Sequence, residues 1–299
     1  MARTVRPATA GIFFALAAAA LYGVSGAIAA DVFDVVSPAR VSQIRAFITA
    51  VVLVPYAWHR GVLAPQGRLP WLILLGLNLA LVGLTFYWAL DRLGVGPGAT
   101  LQFLGPFIVL GWMALVQRRP VGRLTWLAAA LAVTGVALIT EAWSFDDLDL
   151  LGLAAGGTSA ALFAGYFLLG EHLGKTLPAL TMITWGFVFA SLFWVVALPV
   201  WTFPTGLSGT VWAELVWVGI GGTALPFLAQ FAALRRVASG IVGVVATAEP
   251  VIASAAAWVL LAQNLTILQT TGGLVVVVAV AAVHRWSPVE AEQPLDGVF

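Results

Sequence analysis

The chain contains no cysteine, and few of its 299 residues carry a charge. The absence of cysteine excludes disulfides, cysteine–metal sites and cysteine nucleophiles. Charged residues make up 9% of the chain, whereas an average soluble domain is about a quarter charged. This scarcity excludes a soluble enzyme, a nucleic-acid-binding protein and a disordered chain. The net charge of +1 also excludes a strong field that would recruit an acidic partner.

Long apolar segments are present instead, and hydrophobic residues make up 61% of the chain. A helix needs about 20 apolar residues to cross the hydrocarbon layer of a membrane. Ten such stretches occur, each ended by a charge or by a proline or glycine cluster. Because the runs are continuous and a bilayer offers no water to backbone groups, they predict ten transmembrane helices rather than strands. They cover residues 8–30, 41–57, 70–90, 96–116, 124–140, 150–169, 178–199, 211–234, 240–261 and 265–283.

Lysine and arginine are distributed unevenly between the predicted loops. Eleven of the fourteen lie on one side, which the positive-inside rule assigns to the cytoplasm. The other side has Arg40, Arg92 and the acidic residues of segment 146–149, while Arg45 lies within the second span. We therefore expect a multi-pass inner-membrane protein with both termini in the cytoplasm. The cytoplasmic set is Arg3, Arg6, Arg60, Arg68, Arg118, Arg119, Arg123, Lys175, Arg235, Arg236 and Arg285.

The chain is internally repeated. A shift of 144 positions aligns Pro106 with Pro250, and a shift of 141 aligns Tyr22 with Phe163. Spans 1–5 therefore recur as spans 6–10, and an odd number of spans makes the second unit enter the membrane from the opposite side. Such inverted repeats are typical of secondary transporters, although a purely structural duplication is the alternative. The predicted parts are residues 1–145 (first repeat), 146–285 (second repeat) and 286–299 (a disordered cytoplasmic tail).

Four motifs carry a family resemblance. Residues 86–90 (FYWAL), 100–106 (TLQFLGP) and 117–120 (QRRP) resemble the first EamA repeat of drug/metabolite transporters. Residues 246–251 (ATAEPV) resemble the Glu-Pro signature of the second repeat. The resemblance covers about residues 10–283 and is most similar to the amino-acid exporters of the threonine/homoserine type.

This resemblance implies an all-α membrane protein with ten transmembrane helices in two inverted five-helix EamA repeats. It also implies export of amino acids or related small metabolites by alternating access. The chain departs from the family at two places. Members of this branch commonly carry glutamate where this chain has Gln102, and many second repeats have Leu-Gly-Glu where residues 261–263 read Leu-Ala-Gln. Both departures remove a carboxylate.

Glu249 is the first candidate for a functional residue, because an ionisable group at membrane depth is costly and is usually retained for a purpose. It lies near the middle of the ninth span and is followed by Pro250, which removes a backbone donor. Its carboxyl group could exchange a proton near neutral pH or bind a substrate ammonium group. Alternatively, a protonated Glu249 could simply bond a neighbouring helix.

Arg45 is the second ionisable candidate, a turn or two inside span 2. It could bind a substrate carboxylate through two parallel hydrogen bonds. It could instead extend along lipid to the outer interface, which we expect to be the commoner outcome because Arg40 and Gln43 suggest an interfacial start. Pairing between Arg45 and Glu249 is a third possibility.

Neutral polar and aromatic residues complete the candidate site. Gln102, Gln230 and Asn78 could bind a zwitterionic substrate or tie helices together; the position of Gln102 beside the predicted helix break at Gly105-Pro106 favours binding. Aromatic side chains could wall a central cavity or serve ordinary packing. We expect a cavity formed mainly by spans 1, 3, 4, 6, 8 and 9, with helices that bend at Pro106 and Pro250. The aromatic candidates are Tyr22, Tyr87, Trp88, Phe163 and Tyr166.

Motifs for catalysis and cofactor binding are incomplete. Residues 170–176 place three residues between the glycines where a P-loop needs four. The sequence predicts no enzyme, metal or cofactor. The expected partners are a small-molecule substrate, the lipid bilayer and, if transport is coupled, protons, with no nucleic acid and a monomeric or homodimeric state. Efflux of cationic drugs and facilitated metabolite diffusion are alternative functions.

Overall fold

The computed structural model describes residues 7–28, 32–93, 95–143, 149–261 and 264–286. Three predicted features lie outside them. These are the tail beyond residue 286, the acidic residues Asp146 and Asp147, and the Ala262-Gln263 dipeptide at which the chain departs from the family motif.

The described part of the first half is helical. Proline lies in the first turn of α4 and of α6, where its missing N–H would be unpaired in any case. The helices are α1 (Pro7–Ile28), α2 (Val32–Val35), α3 (Pro38–His59), α4 (Leu69–Leu93), α5 (Val95–Gln102), α6 (Gly105–Leu115) and α7 (Arg123–Ile139).

The described part of the second half is helical as well. A π-helical segment, Ile220–Ala224, joins α10 to α11, and a 3-10 turn, Val200–Thr202, precedes α10. The helices are α8 (Leu150–Gly174), α9 (Ala179–Ala197), α10 (Gly209–Gly219), α11 (Leu225–Leu234), α12 (Ser239–Ala246), α13 (Ala248–Leu261) and α14 (Ile267–Trp286).

Eight helical segments of the described chain are long and apolar enough to cross a membrane. Two further apolar helices, Thr9–Ser25 and Arg123–Ile139, coincide with the first and fifth predicted spans. At 1.5 Å per residue, the 17 residues of α7 extend about 25 Å, slightly less than the roughly 30 Å of a typical hydrocarbon core. Over the described residues, each of the ten predicted stretches coincides with one or more helices, and eight of these helical segments are long and apolar enough to cross a membrane.

Three helix breaks have a common cause in proline. Proline lacks the N–H that would bond the carbonyl four residues earlier, and its ring crowds that carbonyl. Helix α5 ends at Gln102, four residues before Pro106, and α12 ends at Ala246, four residues before Pro250. The π-helical segment occurs where Pro226 leaves the carbonyl of Gly222 without its usual donor. The breaks before Pro106 and Pro250 are 144 residues apart, the spacing of the internal repeat.

Glycine allows the closest approaches between helices. A Cβ atom on Gly23 of α1 would lie 2.8 Å from the backbone nitrogen of Ala253 and 2.9 Å from the backbone oxygen of Glu249, both in α13. A Cβ atom on Gly135 of α7 would lie 2.7 Å from the backbone oxygen of Gly272 in α14. Small residues at such crossings let backbones pack directly, as is usual between membrane helices. The first contact holds α1 against the helix that carries Glu249.

Candidate functional site

A cavity of about 270 Å³ lies between the two halves of the chain. Helices α1, α3, α4 and α5 line it from the first half, and α8, α10, the π-helical segment, α11, α12 and α13 line it from the second. The wall therefore includes the second predicted span, through Arg45, in addition to the six spans expected from the sequence. The residues four positions before the three prolines, Gln102, Gly222 and Ala246, all line the cavity. The three interruptions of regular α-helix thus lie in the cavity wall.

Eight of the ten predicted site residues line this cavity, and two lie elsewhere. Trp88 is 55% exposed on the outer face of α4. Asn78 is buried against Gly165 of α8, where it packs between two helices. The eight lining residues are Tyr22, Arg45, Tyr87, Gln102, Phe163, Tyr166, Gln230 and Glu249.

Arg45 directs its guanidinium group into the cavity, not along the lipid-facing surface that the sequence favoured. The guanidinium carbon lies 5.9 Å from the centre of the Tyr87 ring. It passes beside Gly83, where an added Cβ atom would stand 2.8 Å from Nη2 of Arg45. Within the described chain, the guanidinium donates no hydrogen bond and forms no ion pair. The predicted alternative of an Arg45–Glu249 pair is therefore absent.

Glu249 occupies the first turn of α13, next to the break that follows α12. It lies ten residues after Ser239, the start of α12, which corresponds to about 15 Å along a helix, or half of the hydrocarbon thickness. Its carboxyl group has no hydrogen-bond or ion-pair partner among the described residues. The cavity therefore holds one basic and one acidic side chain, neither of which forms an ion pair with a described residue.

Aromatic rings build much of the cavity wall. Phe227 packs edge-on against Tyr22, with ring centres 5.6 Å apart, and lies 5.7 Å from the ring of Tyr166. Tyr166 also packs edge-on against Phe163 at 5.2 Å. The side chain of Gln230 lies beside the hydroxyl group of Tyr166. The result is an apolar frame with a few polar groups facing inward, the usual composition of a small-molecule site.

Two of the polar groups are buried without a partner. Both atoms are buried: the hydroxyl group of Tyr22 forms no hydrogen bond with a described residue, and Oε1 of Gln230 accepts none. An unpaired buried polar group is costly, so such atoms point to a ligand that satisfies them. Gln102 differs, because its amide donates to Oγ of Ser159 at 2.8 Å and so connects α5 to α8.

The sequence did not single out several lining residues. Phe227, Phe86 and Ser25 belong to apolar or small-residue runs that resemble many others in the chain. Gly222 could have been found, since it lies four residues before Pro226. A Cβ atom there would collide with the side chain of Ser25.

Polar contacts join the helices at the end of the molecule that carries Arg119, Arg235 and Arg236, here named the basic end. Nη1 of Arg119, in the loop after α6, donates to Oε1 of Glu171 in α8 at 2.5 Å. Oε2 of Glu171 accepts from the backbone N–H of Ser239, the first residue of α12, at 2.8 Å. Arg235 donates to the backbone oxygen of Gly174 at 3.3 Å. Glu171 thus links three segments and holds the basic end together.

The opposite end has its own ion pair. Arg92, near the end of α4, donates to the carboxylate of Asp149 at 2.8 Å. Asp149 also caps α8 by accepting from the backbone N–H groups of Leu151 and Gly152. These hydrogen bonds, first that from Arg92, hold the pKa of Asp149 below its ordinary value of 3.8.

Comparison with known proteins agrees with this architecture. The EamA-like transporter family matches the chain twice, over residues 9–141 and 150–285. The threonine/homoserine exporter RhtA of Salmonella typhimurium strain SL1344 is 27% identical over 252 residues, which cover 82% of this chain and 81% of that protein. RhtA of Escherichia coli K12 is 26% identical over 264 residues, covering 86% and 85% of the two chains.

Similarity extends to a more distant sequence and to a solved structure. Human solute carrier family 35 member G1 is 24% identical over 300 residues, covering 92% of this chain and 80% of that one. A crystal structure that is 17% identical in sequence superposes with a TM-score of 0.79 over 93% of this chain and 97% of that one. The motifs in the sequence predicted this family, and the prediction is confirmed. The two family matches leave little of the chain uncovered: it belongs to the EamA-like transporter family and is a multi-pass membrane transporter of small metabolites.

Proposed function

We propose that this transporter exports amino acids or closely related small metabolites by alternating access. In this proposal the chain crosses the membrane ten times as two inverted five-helix units, residues 1–145 and 146–285, with the basic end in the cytoplasm. Three observations support it: the repeat spacing of the proline breaks, the uneven distribution of basic residues, and relatives that are named threonine/homoserine exporters.

The observation that carries the proposal is the pair of unneutralised charges in one cavity. Arg45 comes from the first unit and Glu249 from the second, so a ligand that contacts both lies at the interface of the two units. Binding at that interface is what alternating access requires, because rocking of one unit against the other then exposes the site to each side in turn. The contacts of Arg119, Glu171 and Ser239 would have to open to admit a substrate from the basic end.

Counterflow in proteoliposomes tests this function. Vesicles containing the purified protein are loaded with one unlabelled amino acid, starting with threonine and homoserine, and the uptake of the labelled form is measured. We expect an overshoot for at least one amino acid and none in protein-free vesicles. If none of the twenty standard amino acids moves, with or without a pH gradient, the proposed substrate class is wrong.

Efflux of cationic drugs is the second candidate, because Glu249 and the aromatic wall would suit a hydrophobic cation. Two observations weigh against it. Arg45 would repel a cation in the same cavity, and drug-sized ligands occupy sites of roughly 300–1,000 Å³, larger than the about 270 Å³ found here. Transport of a cationic dye in the same vesicles, unaffected by amino acids, would favour drug efflux.

Glu249 is the proposed site of proton exchange, if transport is coupled to protons. The other titratable groups that line the cavity are Tyr22, Tyr87, Tyr166 and Arg45, and the reference pKa values of tyrosine and arginine lie well above 7. We therefore expect Glu249→Gln to abolish stimulation of transport by a pH gradient, and Glu214→Gln, in α10 outside the cavity, to retain it. Unchanged stimulation in Glu249→Gln would exclude coupling through this residue, and the absence of stimulation in the wild type would indicate facilitated diffusion.

A further inference from the structure

We infer that the cavity binds the two charged groups of an α-amino acid with two different side chains: Arg45 binds the substrate's carboxylate and Glu249 binds its ammonium group. The inference rests on the proposed function and sharpens it, because it requires a zwitterion. An amine without a carboxylate, or an acid without a free amine, would leave one protein charge unpaired. The assignment of each charge follows from the surroundings of the two side chains.

The surroundings of Arg45 favour an anionic ligand. A guanidinium group has five N–H donors and no acceptor, and here none of them is used within the described chain. The group lies beside the Tyr87 ring and in the space left by Gly83. A charge held in a partly enclosed site without a partner is costly. A carboxylate can accept two parallel hydrogen bonds from it.

The surroundings of Glu249 favour a cationic ligand. Its carboxyl group has no partner among the described residues, although the first turn of a helix is a place where a negative charge is stabilised. Gln230 is 2% exposed and lines the same cavity, and its Oε1 accepts no hydrogen bond from a described residue, so it adds a neutral acceptor. Because an ammonium group has three donors and no acceptor, these acceptors suit it and not a carboxylate.

The two charged side chains line one cavity without contacting each other, which leaves both available to a ligand. Arg45 and Glu249 share a cavity and yet form no ion pair with each other. Direct pairing would cancel the charges and remove the binding energy available to a ligand. The unpaired hydroxyl group of Tyr22 lines the same space and can bond a polar substituent. One zwitterion would thereby connect helix α3 of the first unit to helix α13 of the second.

The test compares one amino acid with its two singly charged derivatives. Competition with labelled threonine, or with whichever standard amino acid the wild type moves best, is measured in detergent-purified protein. The competitors are the amino acid itself, its amide, which lacks the carboxylate, and its N-acetyl derivative, which lacks the ammonium group. In the wild type we expect each derivative to bind about ten- to hundredfold more weakly than the amino acid, as for loss of a charged hydrogen-bonded contact.

Two variants assign the charges to residues. In Arg45→Gln, we expect the preference for the amino acid over its amide to disappear while the preference over the N-acetyl derivative remains. In Glu249→Gln, we expect the reverse pattern. Arg60→Gln and Glu214→Gln, which remove the same charges outside the cavity, should keep both preferences. A circular dichroism spectrum and a melting curve identify any variant that fails to fold, and Arg45→Lys and Glu249→Asp then replace it, with selectivity reduced in the same pattern.

The outcomes separate the inference from the function on which it rests. If the wild type transports an amino acid but binds its amide and N-acetyl derivative equally well, the inference is wrong and the exporter function stands. The inference is also wrong if Arg45→Gln weakens the amino acid and the amide by the same factor. If the wild type neither binds nor transports any amino acid, the proposed function fails and the inference fails with it.

Discussion

At the scale of single residues, Gly83 determines where the guanidinium group of Arg45 can lie, because glycine has no Cβ atom to occupy that space. Ser42, Gly83 and Arg45 meet where α3 passes α4, and a Cβ atom on Gly83 would lie 2.8 Å from Nη2 of Arg45 and 3.2 Å from Oγ of Ser42. Helical glycine is normally a disadvantage of about 1 kcal/mol relative to alanine. Its presence here makes room for a charge beside the helix.

Gly83→Ala should therefore weaken substrate binding while leaving the fold intact. The methyl group would push the guanidinium out of its place, and we expect the affinity for the substrate to fall about tenfold, or about 1.4 kcal/mol. Equilibrium binding and the melting temperature would be measured together. Gly111→Ala is the matched control, because a Cβ atom there meets nothing within 4 Å, and it should leave binding unchanged. Equal binding by both variants would show that Gly83 does not position Arg45.

Some residues of the candidate site could be predicted from the sequence and others could not, for a physical reason. Charges at membrane depth are rare and expensive, so Arg45 and Glu249 stood out in a chain with few charged residues. Phe227 and Ser25 could not be distinguished, because aromatic and small side chains serve packing throughout such a chain. Asn78 was selected by the same rule as Gln230, yet one lies between helices and the other faces the cavity, a difference set by helix rotation in the folded protein.

At the scale of helices, the breaks before Pro106 and Pro250 give the cavity its irregular wall. In each case the helix ends four residues before the proline, at Gln102 and at Ala246, and both of these residues line the cavity. Here the sequence was a useful guide, because proline removes its own backbone donor. The sequence alone does not decide every case, since Pro55 lies inside the unbroken helix α3. The π-helical segment before Pro226 follows the same rule and was not predicted.

Replacing these prolines should reduce transport without reducing the stability of the fold. Pro106→Ala and Pro250→Ala restore a backbone donor, and we expect an unchanged or higher melting temperature together with a severalfold loss of counterflow, because a straighter helix bends less readily. Pro55→Ala provides the control, since Pro55 lies inside α3 with an exposed side chain and does not line the cavity. Full counterflow in both test variants would mean that the breaks serve only to shape the resting wall.

The N-terminus of α8 offers a pH-dependent element. The pKa of Asp149 is held low in the folded protein, so the ionised form stabilises the fold at pH values above the ordinary value of 3.8. This contribution is lost as the pH falls through the lower folded pKa.

Asp149→Asn retains a capping side chain but removes the charge that pairs with Arg92. We expect it to lower the melting temperature slightly at pH 7 and to make no difference at a pH below the folded pKa. Thermal unfolding of the wild type and of this variant across the acidic range checks the sign. A difference that grows on acidification would contradict it. Asp149→Ala, which also loses the cap, should be less stable than Asp149→Asn at both pH values.

At the scale of the whole molecule, the cavity and the basic end form one system. Both units contribute to the cavity, and Glu171 of α8 bonds both Arg119, from the first unit, and the start of α12, from the second. Composition and the internal repeat predicted a helical transporter with a site between its halves. They could not predict this link, since Glu171 and Arg119 lie 52 residues apart in loops and helix ends where charges are common.

Glu171→Gln should shift the population of the transporter towards conformations that are open at the basic end. It weakens two hydrogen bonds to a charged acceptor, each contributing about 1.5–3 kcal/mol, and a loss of this size in one conformation shifts a two-state equilibrium by at least about tenfold.

The wild type has no cysteine, so a single Ala15→Cys substitution, in the cavity wall on α1, reports access to the cavity without background labelling. In inside-out vesicles, where the proposed cytoplasmic side faces the reagent, a water-soluble maleimide should label Cys at this position at least about tenfold faster when Glu171→Gln is also present. Glu214→Gln in the same background should not change the rate. An unchanged rate in the Glu171→Gln protein would mean that the Glu171 contacts do not control access to the cavity from the basic end, and faster labelling only from the opposite side would reverse the proposed orientation.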